Sequence, residues 1–460
     1  MKASIKKAIQ DIVGQENFTD QLIDIVSFSY DGSDHNHRPE AAVWPANTEQ
    51  VSKIMTLANE NRFPVIPRGA GTGLAGAAIP VRGGLVLDMC RMNTLRDIRI
   101  ADRLVVVQPG VVYADLEKAL APHGFFFPPD PASGKVCTLG GNVATNAGGL
   151  RAAKYGVTRD YVMGLEVVLP DGRIMRTGSQ CMKSASGYDL ARLFVGSEGT
   201  LGVITEITLK INPKPLAFST GVGSFGSLKD AGQAVTDIMH SGIIPCVLEL
   251  MDENTIRVLR EHANADLPEA AALILVETDG YTEGEAAFQM SKVMDEFRKN
   301  NATHIKEAAS AGEVEELWRI RKATGSTAAQ LRTNHATEDV GVPMSRVPDL
   351  LTGIAAIVKD YDLPFVIFGH AGDGNLHPKI MYNGSDPDQQ RRFDEAVGEI
   401  FKLACSLGGT LTGEHGIGLA KASYMGLEHD AVALDLMRSL KRLFDPNNIL
   451  NPGKMNLEAP

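Results

Sequence analysis

Cysteine is scarce in this chain. The five residues Cys90, Cys137, Cys181, Cys246 and Cys405 lie far apart and no Cys-x-x-Cys occurs, which excludes an iron–sulfur cluster and a disulfide framework and fits a reduced, cytoplasmic setting. Positive charge is also in deficit: the formal net charge of −11 argues against nucleic acid as a partner. Long apolar runs are missing. Residues 1–9 are basic, but an acid follows at Asp11, and no stretch reads as a signal peptide or a spanning helix. The expectation is a cytoplasmic protein with no membrane span, at most peripheral to a membrane through a partner. A complete nicotinamide fingerprint is lacking as well. Gly71, Gly73 and Gly76 form a literal G-x-G-x-x-G, but Pro80, Gly83 and Gly84 interrupt the chain where a Rossmann helix would run, and Leu85-Val86-Leu87-Asp88 then reads as a strand.

What is present is a globular chain of 460 residues, long enough for two or three domains with filled cores. Its first recognisable unit is β-α-β. Residues 41–44 read as a strand, 47–62 as a helix capped by Asn47 with Val51, Ile54, Met55 and Ala58 on one face, and 64–67 as a second strand. Three glycine-rich loops follow. Arg68-Gly69-Ala70-Gly71-Thr72-Gly73-Leu74 can present successive backbone N–H groups to a pyrophosphate. The stretch from Pro128-Pro129-Asp130-Pro131 to Thr138-Leu139-Gly140-Gly141-Asn142-Val143-Ala144-Thr145-Asn146-Ala147-Gly148-Gly149 is built of small residues that admit a large flat ligand. Gly196-Ser197-Glu198-Gly199-Thr200-Leu201-Gly202-Val203-Ile204 leads into an alternating strand at 205–210. Strands at 164–169 and 174–177 are joined by the hairpin signal Asp171-Gly172.

A second constellation lies far downstream. In Gly369-His370-Ala371-Gly372-Asp373-Gly374-Asn375-Leu376-His377-Pro378, Asp373-Gly374 suits a two-residue hairpin turn. With that turn residues 370 and 377 face each other, a separation that lets two imidazoles converge on one divalent cation with a carboxylate such as Glu414 as third ligand, the alternative being a turn whose imidazoles are only hydrogen-bonded. Glu414 and His415 stand among Gly408, Gly409, Gly413, Gly416 and Gly418, glycines that suit a backbone folded close to a ligand. His415 is then a base beside a metal.

These residues carry a resemblance over nearly the whole chain. The three loops resemble the FAD-binding segments of the vanillyl-alcohol-oxidase flavoprotein superfamily. The histidine hairpin and Gly413-Glu414-His415-Gly416 resemble its D-2-hydroxyacid dehydrogenase branch, which includes D-lactate dehydrogenase, the glycolate oxidase catalytic subunit and D-2-hydroxyglutarate dehydrogenase. The resemblance implies an α+β fold in which a two-subdomain FAD-binding domain of PCMH type occupies residues 1–215. An α+β substrate (cap) domain with an antiparallel sheet and the metal hairpin follows over 216–410, and residues 411–460 return to the FAD domain. Strands at 246–250 and 272–276, helices near 229–241, 283–299 and 389–407, and a closing segment from 437 onward agree with it.

The FAD-binding positions so implied are Pro67, Arg68, Gly69, Gly71, Thr72, Gly73, Leu74, Pro129, Asp130, Thr138, Gly140, Gly141, Ala144, Thr145, Ala147, Gly148, Tyr155, Gly156, Glu198, Gly199, Gly202, Ile204 and Asn451. Some relatives carry flavin covalently on a histidine of the first loop. None lies between Arg68 and Pro80 here, so the FAD is expected to be non-covalent. His370, His377 and Glu414 are the expected ligands of a divalent metal, zinc first, with iron or manganese also compatible. His415 is the expected base, Arg321 a match to an arginine that pairs with the substrate carboxylate, and Asn375 a further contact to that carboxylate. The acidic Glu338-Asp339 stretch stands where hydroxyglutarate enzymes use a lysine, which favours a small monocarboxylate such as D-lactate over a dicarboxylate. Electrons are expected to pass to a separate acceptor: an electron-transferring flavoprotein, an iron–sulfur subunit or a quinone. A homodimer is compatible with the sequence. The rival classes are an alkyl-glycerone-phosphate-synthase-like transferase and a flavin-binding assembly subunit.

Overall fold

The computed structural model describes residues 1–331 and 334–458 and divides into two compact units. The first comprises Met1–Gly148, Val157–Lys214 and the chain from Glu414 onward. Its smaller sheet has four strands in the order Phe18–Thr19, Ala41–Val43, Leu85–Asp88, Val65–Arg68, the last three parallel. The helix Thr48–Asn61 makes the crossover. Asn47 caps it by accepting from the Gln50 N–H at 2.9 Å, and the face Val51, Ile54, Met55, Ala58 is fully buried against Val43, Val65, Leu85 and Leu87. Fully burying one such aliphatic side chain stabilises by about 1.5–3 kcal/mol.

A second, antiparallel sheet of five strands runs Leu95–Arg99, Leu104–Val107, Val203–Lys210, Val162–Val168, Ile174–Gly178. Its core gathers Phe127, Tyr161 and Phe194, with Phe127 and Tyr161 edge to face at 5.5 Å. After Gly69 the chain forms turns and bends up to the strand Leu85–Asp88, with no helix, as Pro80, Gly83 and Gly84 require.

The second unit comprises Gly149–Gly156 and Pro215–Gly413. Its antiparallel sheet follows the order Ala302–Glu307, Ala217–Phe225, Ala272–Gly280, Val247–Asp252, Phe365–His370, Asn375–Tyr382, Asn334–Thr337, and Val340–Gly341 also pairs with Asn375–Tyr382. Helices Glu253–His262 and Ala311–Ala329 cover one face through Ile256, Leu259 and Ile320 on Val222, Leu275, Val366 and Phe368. On the other face Gly221 and Gly223 leave room for Met294 and Phe297 of the helix Glu283–Lys299.

The histidine hairpin departs from the expected register. Residues Ala371–Asp373 wind into one 3-10 turn and Gly374 takes the left-handed conformation (φ 81°), so four residues rather than two link the strands. His370 therefore pairs with Asn375, and His377 with Phe368. The shift is by two positions, and side chains alternate with period two. Both histidines keep one face, as diagonal rather than direct neighbours.

Candidate active site

In the first unit, the three glycine loops surround one cleft of about 450 Å³, within the size range of cofactor sites. Among the expected positions Pro67, Arg68, Gly69, Gly71, Thr72, Gly73, Leu74, Thr138, Gly140, Gly141, Ala144, Thr145, Ala147, Glu198, Gly199, Gly202 and Ile204 line it. Sequence reasoning missed Ala77, Ala78, Met89, Pro109, Ser133 and Cys137, which also line it. Their signal was faint, being small or apolar residues outside a glycine motif.

Close packing explains some of the glycines. A Cβ on Gly140 would lie 2.5 Å from Pro109 Cβ, and Gly71 (φ +70°) lies against the Arg68 guanidinium. Arg68 is buried in the cleft wall, where Nη2 donates to the Tyr30 carbonyl at 2.8 Å and the cation stands 5.7 Å from the Phe28 ring. Its Nη1 is buried with no hydrogen-bond partner among the described residues. Burial lowers the Arg68 pKa from its ordinary value, yet guanidinium stays charged. A cleft walled by glycine and alanine, with one unsatisfied guanidinium nitrogen, fits a flat cofactor that carries phosphate.

Glu198 holds the far wall. It adopts φ +51° and is buried, and its carboxylate accepts the N–H groups of Ile417 and Gly418 at 2.6 and 2.8 Å. Burial pushes its carboxyl up to about 7, against the pull of those hydrogen bonds and of Lys454 and Lys421. This clamp fixes the loop whose preceding residues, Glu414 and His415, line the same cleft. Gly148 makes room for Glu414, since a Cβ there would lie 2.7 Å from Oε2. Asn451 does not line the cleft. Its Nδ2 ties the carbonyls of Ala77 and Glu198 at 2.9 and 2.7 Å, so it braces two residues that do.

Pro129 and Asp130 immediately precede the lining residue Pro131. Tyr155 and Gly156 belong to the second unit, where the Tyr155 hydroxyl donates to Asp279 Oδ2 at 2.5 Å and Lys154 pairs with the same carboxylate.

In the second unit, the rings of His370 and His377 meet edge to face with centroids 5.0 Å apart, both buried. Nδ1 of His370 lies 2.5 Å from Glu249 Oε1, and Nδ1 of His377 lies 3.5 Å from Asp339 Oδ1. Arg321 is buried, and its Nε (2.7 Å) and Nη2 both donate to Glu249 Oε2. Its expected carboxylate partner is thus found inside the chain. Burial raises the Glu249 carboxyl, but Arg321 and His370 outweigh it and hold it down at about 2.

Asn375 Nδ2 donates to Asp339 Oδ1 at 2.7 Å and to the Val340 carbonyl at 3.3 Å, and Thr412 Oγ1 donates to Asp339 Oδ2 at 2.6 Å. Glu249 went unassigned in the sequence reading, and Asp339 was read only as part of an acidic stretch bearing on substrate charge. Glu249 had a signal: an acid inside the apolar strand Val247–Asp252 must have a partner.

Residues 214–455 match the family described as FAD linked oxidases, C-terminal domain, and residues 39–178 match a FAD binding domain. The chain is 42% identical over 453 residues to the glycolate oxidase subunit GlcD of Bacillus subtilis, covering 98% of this chain and 96% of that protein. It is 35% identical over 430 residues to a D-lactate dehydrogenase of Anaerostipes hadrus, covering 91% of this chain and 90% of that protein. A crystal structure of p-cresol methylhydroxylase with substrate bound superposes with a TM-score of 0.83 at 20% identity, covering 98% and 96% of the two chains. At that identity the likeness is one of fold.

Proposed function

The chain belongs to the FAD-linked oxidases, with the FAD-binding fold of the vanillyl-alcohol-oxidase superfamily, and we propose that it oxidises a small D-2-hydroxy acid, D-lactate foremost, to the 2-oxo acid. The observation that carries this reading is the pair of buried imidazoles, 5.0 Å apart on one sheet face. The pair stands in a chain whose other unit holds Glu414 and His415 at the wall of a flavin-sized cleft.

Bound FAD supplies the hydride acceptor for the substrate C2–H bond. His370, His377 and Glu414 would hold a divalent metal, zinc first, whose charge would lower the pKa of the substrate hydroxyl without redox change. His415 takes the hydroxyl proton. Arg68, Thr138 and the small residues around them hold the cofactor without a covalent bond, the first loop having no histidine. Asn375 keeps Asp339 in place beside His377. Asp339 is fully buried, and a second substrate carboxylate brought near it would meet a like charge. A monocarboxylate is therefore favoured over a dicarboxylate. Glycolate is the second reading, favoured by the 42% identity to a glycolate oxidase subunit. Electrons leave to a separate protein or quinone, since the sequence has neither Cys-x-x-Cys nor a complete nicotinamide fingerprint.

The test is anaerobic mixing of the flavin-loaded, metal-analysed protein with D-lactate, L-lactate, glycolate and D-2-hydroxyglutarate while flavin absorbance is followed. Rapid bleaching by D-lactate, lost on chelation, is expected. Bleaching by glycolate alone would move the substrate, and no bleaching by any acid would sink the dehydrogenase reading in favour of a transferase.

A further inference from the structure

The second unit buries an ion pair that packing alone does not call for. Glu249 is fully buried and Arg321 is 8% exposed, on the sheet face that also carries Val222, Leu275, Val366 and Phe368. Taking two such charges out of water is costly, and an apolar pair of the same volume often serves a fold as well. The geometry shows where the pair is directed. Glu249 stands directly opposite His370 in the antiparallel register. One carboxylate oxygen, Oε2, receives Nε and Nη2 of Arg321, and the other, Oε1, lies 2.5 Å from His370 Nδ1. Phe368 supports the guanidinium at 5.3 Å from its ring. The carboxylate is thereby locked from behind, with one oxygen left for the imidazole.

We propose that Glu249, clamped by Arg321, is a positioning residue that fixes the His370 ring with its proton on Nδ1, so that the Nε2 lone pair is presented as a metal ligand. This inference rests on the metal reading above. A carboxylate ion accepts but cannot donate, so the hydrogen of the short contact belongs to His370. A proton on Nδ1 leaves Nε2 as the donor atom of a neutral imidazole, and the carboxylate raises its basicity. His377 has a carboxylate nearby as well, Asp339 Oδ1 at 3.5 Å from its Nδ1, but without the short hydrogen bond. Arg321 accordingly gains a further role, acting on the metal ligand through Glu249.

The experiment is a zinc titration of the chelator-stripped, flavin-loaded protein against a chromogenic chelator, comparing wild type with Glu249→Gln and with the double variant Glu249→Gln, Arg321→Gln. The double variant leaves no buried charge uncompensated, so it separates a folding defect from a ligand defect. Wild type is expected to take one equivalent of zinc, and both variants to bind it about 10- to 100-fold more weakly with the flavin spectrum unchanged. A double variant that keeps the flavin spectrum and binds zinc as tightly as wild type overturns the inference and leaves the metal reading standing. Wild type that takes no zinc overturns both. A second readout needs no substitution at Glu249. Long-range proton–nitrogen spectra of the metal-free protein, with His370 assigned through its absence in His370→Asn, should show the proton on Nδ1. A proton on Nε2 would overturn the assignment.

Discussion

The two units build their sites by opposite means. In the first, the cleft is made by leaving side chains out: small and apolar residues, glycine and alanine foremost, form most of its wall, and few groups, such as Arg68, Glu198, Glu414 and His415, bring charge or proton chemistry. In the second, the sheet face is made by putting charge in: Glu249, Glu277, Asp279, His370, His377 and Lys379 are all buried. Each of the first three meets a partner from elsewhere in the chain: Arg321 on Glu249, Trp318 on Glu277, Lys154 and Tyr155 on Asp279. A broad planar cofactor is accommodated by shape and backbone, whereas aiming a few reactive atoms takes desolvated polar groups held by one another. The contrast can be broken experimentally.

The largest expected effect is on turnover. His415→Ala should lower kcat by roughly 100- to 10,000-fold, as for loss of a general base, with flavin content unchanged. A variant within tenfold of wild type would remove His415 from the chemistry. Next comes the charge network of the second unit. Asp279→Ala leaves Lys154 and the Tyr155 hydroxyl without their acceptor and should cost about 3 kcal/mol in urea unfolding. Arg173→Ala, which breaks an exposed pair with Asp171, should cost less than about 1 kcal/mol. Equal costs would mean that the buried network is no more than surface charge. Third, Gly140→Ala forces a methyl against Pro109 and should lose about 1–3 kcal/mol, while Gly73→Ala meets nothing within 4 Å. The second variant should keep its stability and weaken FAD binding, measured by flavin release. If it binds FAD as wild type does, the first loop does not approach the cofactor at Gly73.

The contrast also explains what could be read from sequence. The cleft was legible because its means are local: glycine clusters within three short windows, and a crossover helix whose cap Asn47 and face Val51, Ile54, Met55, Ala58 are visible in one stretch. The histidine face was legible although the turn was misjudged, because a two-residue register shift preserves the side of the sheet. The charge network was not legible. Arg321 and Glu249 are 72 residues apart, His370 and Glu249 121, Tyr155 and Asp279 124, and no local pattern announces such pairings. Arg321 was therefore recognised by its surroundings in sequence, while its partner remained hidden. The bond from the Tyr155 hydroxyl to Asp279 was equally hidden.

The last expected effect separates Glu198 from Glu249 by sign. Glu198, in the cleft wall, has its carboxyl raised from an ordinary 4.5 to about 7, so the folded state holds a proton that the unfolded chain releases between these values. Its contribution therefore falls as pH rises from about 4.5 to about 7. Glu249 is lowered from 4.5 to about 2, so its contribution is fully present above about 4.5 and is lost as pH falls toward 2. Urea unfolding of wild type and Glu198→Gln at several pH values isolates the first effect. The stability of the variant relative to wild type should increase between pH 4.5 and 7, with a slope on the order of 1 kcal/mol per pH unit. A difference that stays flat would mean that Glu198 is ionised throughout, with the Ile417 and Gly418 N–H groups and the Lys454 ammonium outweighing its burial. Glu198 and Glu249 would then both be held ionised, and the contrast between the units would rest on how their walls are built.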